Sequence, residues 1–196
     1  MNGADFGRAI MPIVEAHILR GYAPDEKRRL TSALTDAIRF VVPAPDDAVT
    51  VMLHEHAAED YARGGRTRAP AAALPDPAAL VRTYLAAMEA RDLDAAQGML
   101  AAGFKMTFPA SGEMSSLADL VAWSKTRYRF VAKTYDAVEA FHARGVAVVY
   151  ARGVLSGEWP DGAPFGGVRF IDRFEVSGDL IVRQDVWNDL AEARGS

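Results

Sequence analysis

Cysteine is absent from this 196-residue chain, which excludes disulfides, thiolate nucleophiles and Cys-ligated zinc. No apolar run approaches the ~18–20 residues of a membrane span, so no membrane partner is expected. The first ten residues lack a basic region followed by an apolar core, so no secretory signal is expected and a cytoplasmic location is. An excess of basic charge is also missing. The chain has 22 Lys+Arg against 26 Asp+Glu, a net charge of −4, and phosphate-tracking surfaces need the opposite balance. Nucleic acid is therefore not an expected partner. No glycine-rich loop opens a helix after a strand, so a nucleotide site is not indicated, and no cofactor is expected. What remains is the balance of a folded globular protein, 50% hydrophobic and 24% charged.

Pro70, Pro75 and Pro77 punctuate an Ala-rich stretch. Proline fixes φ and withholds a backbone donor, so this stretch suits neither a helix interior nor a central strand. It reads as a linker over residues 67–75, between a first unit at 11–66 and a second at 76–191.

In the first unit, Ile13–Leu19 has strand composition and ends near Gly21. Pro24 opens a helix with Asp25 and Glu26 in its first turn. Leu30, Leu34, Ala37, Ile38 and Val41 recur at helical spacing, and Pro43 and Pro45 stop it. Val49–His54 alternates as a second strand, and Gly64-Gly65 closes the unit. Two strands joined by a helical crossover should be parallel. About 55 residues bury little core, so such a unit needs partners.

The second unit reads as helix, helix, strand, helix, then successive antiparallel strands. The helices are expected over Leu80–Met88, Asp94–Leu100 and Ser116–Val131. The strands are expected at Phe104–Phe108, Tyr135–His142, Val146–Leu155, Val168–Val176 and Leu180–Trp187. Helices first and strands afterwards indicate an α+β class, with helices covering one face of a curved sheet.

Met11-Pro-Ile-Val-Glu-Ala-His-Ile-Leu-Arg-Gly21, followed by Val49–Glu55 and Gly64-Gly65, resembles the 4-oxalocrotonate tautomerase family from Pro12 to Gly65. The resemblance implies a βαβ unit that assembles into dimers and hexamers, with an amino-terminal proline as the base. A free secondary amine titrating near pH ~8 takes and returns protons readily, whereas an acylated proline nitrogen has no usable basicity. Pro12 occupies the matching position, and Met11 precedes it. Two readings stay open: a start at Met11 that frees Pro12, or a genuine upstream extension that blocks it. The arginines by which familiar members bind substrate carboxylates are replaced by Tyr22 and Thr50, which argues against a dicarboxylate substrate. Arg20, Arg63 or Arg66 stand nearby as substitutes, and Tyr61 matches the aromatic residue of the closing hairpin. His54 and His56 share a strand face, but no third ligand is evident. They read as strand-end surface histidines, His54 also as an auxiliary acid or base, and no metal is assigned.

Thr83–Ala95 followed by Gly103–Pro109, together with Arg173–Ile181 and Val186–Asp189, resembles nuclear transport factor 2-like (NTF2-like) domains. That group includes SnoaL-type cyclases and ketosteroid isomerases. The resemblance implies a cone with an internal pocket. Tyr84 matches the isomerase's oxyanion donor, while Phe108 and Phe170 stand where its carboxylates would be, so its proton abstraction is not expected here. Tyr128, Tyr135, Tyr150, Arg152, Asp172, Arg173, Asp185 and Trp187 reach the cone interior or not according to strand register.

The chain is thus expected to be a small-molecule enzyme or binder that forms homo-oligomers. Catalytic candidates are Pro12, His54 and Tyr22. Binding candidates are Thr50, Tyr61, Arg20, Tyr84, Asp185 and Trp187. One reading is a tautomerase-type isomerase acting through a proline amine on a small enol or keto acid. The other places catalysis or hydrophobic-ligand binding in the cone and leaves oligomerisation to the first unit.

Overall fold

The computed structural model describes residues 11–143 and 145–194. The amino-terminal stretch read for a secretory signal lies outside them. The chain divides into two compact units between Ala73 and Leu74.

The first unit contains β1 (Ile13–Leu19), α1 (Pro24–Arg39) and β2 (Thr50–His56). The two strands pair in parallel, with Ile13 opposite Thr50 and His17 opposite His54. Pro24 opens α1, and the Ala23 amide donates to the Glu26 carboxylate at 2.7 Å. The helix ends at Arg39, before Pro43, so Val41 lies beyond its apolar face and is exposed. Val14, Ala16, Ile18, Val51 and Leu53 form one half-buried sheet face. Glu55, at the end of β2, reaches Lys27 of α1 at 2.9 Å. A short hairpin of β3 (Ala62–Arg63) and β4 (Arg66–Thr67) turns on Gly64 and Gly65. Both glycines have φ near +60–75°, as a two-residue hairpin of matching twist requires. Among the described residues of this unit, Ala44 alone is buried.

The second unit begins with α2 (Pro77–Glu89) and α3 (Leu93–Gly98), capped by Asp76 and Asp92, whose carboxylates accept from Ala78 and Ala95 amides. There follow β5 (Leu100–Thr107), β6 (Glu113–Met114), α4 (Leu117–Ser124), β7 (Phe130–Ala143), β8 (Val146–Glu158), β9 (Pro164–Ser177), β10 (Leu180–Asn188) and α5 (Leu190–Arg194). The six strands form one sheet in the order β6-β5-β10-β9-β8-β7. The meander from β7 to β10 is antiparallel, and β5 joins β10 in parallel. Val81, Tyr84 and Leu85 of α2 pack with Phe104, Met106, Val149, Phe174 and Ile181 in the main core.

Two helix boundaries differ from expectation. The third helix stops at Ser124 rather than Val131, because Phe130 and Val131 pair with Glu158 and Gly157 at the start of β7. Leu100 leaves the second helix for β5, where it faces Ile181. Both are tertiary pairings that override a local helical pattern.

Gly153 of β8 sits against a bulge in β7. A Cβ there would lie 2.0 Å from the Thr134 carbonyl oxygen and 3.0 Å from the Tyr135 Cα. These are backbone atoms, so neither can swing aside. Gly153→Ala is expected to destabilise the chain by about 1–3 kcal/mol through overpacking. A lowered urea midpoint at unchanged m-value would register it, and an unchanged midpoint would show that the two strands separate freely.

Candidate functional site

Pro12 stands at the head of β1, where its carbonyl oxygen accepts the Thr50 amide at 2.9 Å. Pro12 and Thr50 therefore share one end of the two-stranded sheet. Tyr22, Arg20 and Tyr61 belong to the other end. Arg20 follows β1 and its amide donates to the His56 carbonyl at 2.8 Å. Tyr61 lines a recess of about 330 Å³ with His17, His56, Arg63 and Arg68. Seven strand residues separate the two ends, roughly 23 Å at 3.3 Å per residue. A single chain thus holds the base position and these binding candidates apart.

His54 lies between the two ends, on the sheet face away from Glu55 and α1. Its imidazole stacks on His17 with centroids 4.7 Å apart, and its Nε2 is 3.7 Å from a Glu15 carboxylate oxygen. His17 in turn sits 2.8 Å, Nδ1 to Nε2, from His56. The partner for His54 and His56 that the sequence did not display is supplied across the parallel ladder by His17 and Glu15. The strand composition of Ile13–Leu19 was visible, but the register that puts His17 opposite His54 was not.

In the second unit a cavity of about 360 Å³ opens between the helices and the sheet. Tyr84, Met88, Phe108, Tyr128, Lys133 and Gln184 contribute to its lining. The Tyr84 hydroxyl donates to the Gln184 side-chain oxygen at 3.2 Å. Burial, and then the nearby Asp172 carboxylate, push the Tyr84 and Tyr135 hydroxyls well above the ordinary phenol range. Both phenols stay protonated and serve as donors or packing groups. Tyr128 shifts upward too, chiefly through burial.

Three charged residues line this site, Glu89, Arg91 and Lys133, and Lys133 reaches a buried carboxylate. Its ammonium donates to Asp172 Oδ2 and lies 4.6 Å above the Phe170 ring. Asp172 is fully buried on β9, and its Oδ1 has no hydrogen-bond partner among the described residues. Burial raises the Asp172 carboxyl above its usual range, while the Lys133 charge and hydrogen bond pull it down. The carboxylate absent at Phe170 is thus present two residues on, on the same inward face. Lys133 was not among the sequence candidates, since the expected strand began only at Tyr135.

Of the three cone candidates, Tyr84 alone lines this cavity. Asp185 and Trp187 lie on the face of β10 opposite Gln184 and Val186, beside a separate shallow recess with Pro109. There Asp185 accepts from Arg183 at 2.9 Å and from Arg173 at 3.4 Å. Among the described residues no helix is long and apolar enough to cross a membrane.

Comparison with known proteins agrees with both units. A family model for the tautomerase enzymes matches residues 12–68. A Listeria innocua protein described as a probable tautomerase is 36% identical over 55 residues, covering 28% of this chain and 90% of that protein. The crystal structure of TerC co-crystallized with polyporic acid is similar with a TM-score of 0.51 at 12% identity, covering 62% of this chain and all of that one. An NTF2-like protein from Burkholderia thailandensis matches with a TM-score of 0.49 at 20% identity, covering 62% of this chain and 98% of its own. The second unit has a curved sheet closed by helices and resembles NTF2-like folds. Through residues 12–68, where the βαβ unit carries Pro12 at its head, this chain belongs to the tautomerase family.

Proposed function

We propose that this protein is a tautomerase-type isomerase in which Pro12, when it is the amino-terminal residue, shuttles a proton in a small enol or keto acid. The single observation that carries this reading is the place of Pro12. It opens the family match, and its carbonyl is held by the Thr50 amide, so its nitrogen projects from a fixed strand end. A neutral secondary amine accepts the enol hydroxyl proton and delivers a proton to carbon, which conserves the atoms of the substrate. Tyr22 and Thr50, in place of two guanidiniums, suit a substrate with one carboxylate rather than two.

Separation of Pro12 from Tyr22, Arg20 and Tyr61 within one chain favours a homo-oligomer, dimer or hexamer, in which one copy's strand head meets another's strand end. Exposed Met11, Ile13, Met52 and Phe40 offer apolar surface for such contacts. The cone supplies a second small-molecule pocket.

A second reading rests on Lys133 and the half-satisfied Asp172 carboxylate beside the 360 Å³ cavity. There the cone binds or transforms a hydrophobic ligand, SnoaL-like, and the first unit only oligomerises. The deciding experiment compares a chain processed to begin at Pro12 with one retaining residues before it, by following the loss of enol absorbance. Activity confined to the processed chain supports the proline reading. Equal activity in both passes the chemistry to the cone.

A further inference from the structure

We propose that Glu15, His17, His54 and His56 form a binding site for a divalent late-first-row transition-metal ion of the zinc type, clipping β1 to β2. This goes beyond the isomerase reading and does not depend on it.

Parallel pairing places all four side chains on one sheet face. Glu15 and His17 alternate along β1, His54 and His56 alternate along β2, and His17 is the register partner of His54. One ligand atom from each of Glu15, His17 and His54 falls within 4.8 Å of the others. His56 joins through His17, its Nε2 lying 2.8 Å from the His17 Nδ1. The chain has only four histidines, and three of them meet here.

The donor chemistry selects the ion. Three imidazole nitrogens and one carboxylate oxygen match the neutral-nitrogen, hard-oxygen set that zinc takes in four-coordinate sites. Ligand atoms about 2.0–2.1 Å from a tetrahedral ion lie roughly 3.3 Å from one another, between the 2.8 Å of the His17–His56 pair and the 3.7 Å of the His54–Glu15 pair. The rings are stacked, His17 on His54 at 17° and on His56 at 22°, so they must turn about χ2 to aim their lone pairs at one point. That torsion is broad, and the faces are open: the His54 side chain is 43% exposed and that of Glu15 57%. In the apo arrangement the His17–His56 contact needs a proton between two nitrogens. A cation replaces that proton and is balanced by Glu15.

A two-stranded sheet is marginal by itself, and this unit buries only Ala44 among its described residues. A cross-strand metal would therefore add folding free energy where the apolar core is thin.

The test uses the full chain, free of any histidine tag and stripped with a chelator, titrated with Zn²⁺ against a chromophoric competitor. One equivalent per chain is expected. His17→Ala and His54→Ala should each weaken binding at least about tenfold, while His142→Ala leaves it unchanged. Far-UV circular dichroism confirms that each variant keeps its fold, and His17→Gln provides a second variant at that position. Binding that survives in both His17 variants, or that falls equally in His142→Ala, would overturn the site and reduce it to adventitious imidazole binding.

Discussion

Retaining even one residue ahead of Pro12 is expected to cost about 10²–10⁴-fold in kcat/KM relative to a chain that begins at Pro12, the usual worth of a positioned general base. The reason lies in one bond. Acylation withdraws the nitrogen lone pair into the amide and leaves nothing to protonate at neutral pH. Pro12→Ala in the freed chain should do less harm, about tenfold, because a primary α-amine still titrates near pH ~8 but loses the ring that fixes its direction. The ordering of freed chain, freed Pro12→Ala and blocked chain is therefore the signature, read as initial rates of enol loss between pH 6 and 9. A blocked chain as fast as the freed one would remove Pro12 from the mechanism.

Lys133→Met is expected to destabilise the protein by about 3–5 kcal/mol at pH 7, because it strands a fully buried Asp172 carboxylate. The effect should depend on pH with a definite sign. Burial already raises the Asp172 carboxyl above its unfolded value. The stability it contributes is then fully present below the ordinary carboxylate pKa and is lost as pH rises through the folded one. Removing Lys133 lifts the folded value further, so the deficit should be small in acid and grow toward neutrality. Urea titrations of parent and variant across pH 4–8 would trace it. Replacing both members, Lys133→Met with Asp172→Leu, should recover most of the loss, since an apolar pair needs no solvation. A deficit that is flat with pH would mean that Asp172 is neutral in the parent throughout.

Strand β1, helix α1 and the parallel pairing were legible because strand composition, a proline-opened helix and Pro43 all act locally. The ends of the second and third cone helices were not, for Leu100 and Val131 are claimed by Ile181 and Gly157 across the sheet. The candidate sites follow the same division. Pro12, Tyr84 and the His54–His56 pair were readable from short motifs. Lys133 was hidden because its strand begins at Phe130 and pairs with β8, which no local pattern announces. His17 was hidden by register, which only the hydrogen-bonded ladder fixes. Asp172 was visible as an acid but not as a buried one.

That Ala44 alone is buried among the described residues of the first unit has a consequence for how this protein behaves on dilution. A segment that covers its apolar atoms mainly with copies of itself has no fixed melting point, because its folding free energy carries a concentration term. If copies supply that cover, specific activity of the proline end will fall as the protein is diluted through the dissociation constant of the assembly. The cone, with its core closed inside one chain, will keep its ligand affinity over the same range. Stock concentration then becomes a variable that sorts the two halves of the molecule without altering a single residue.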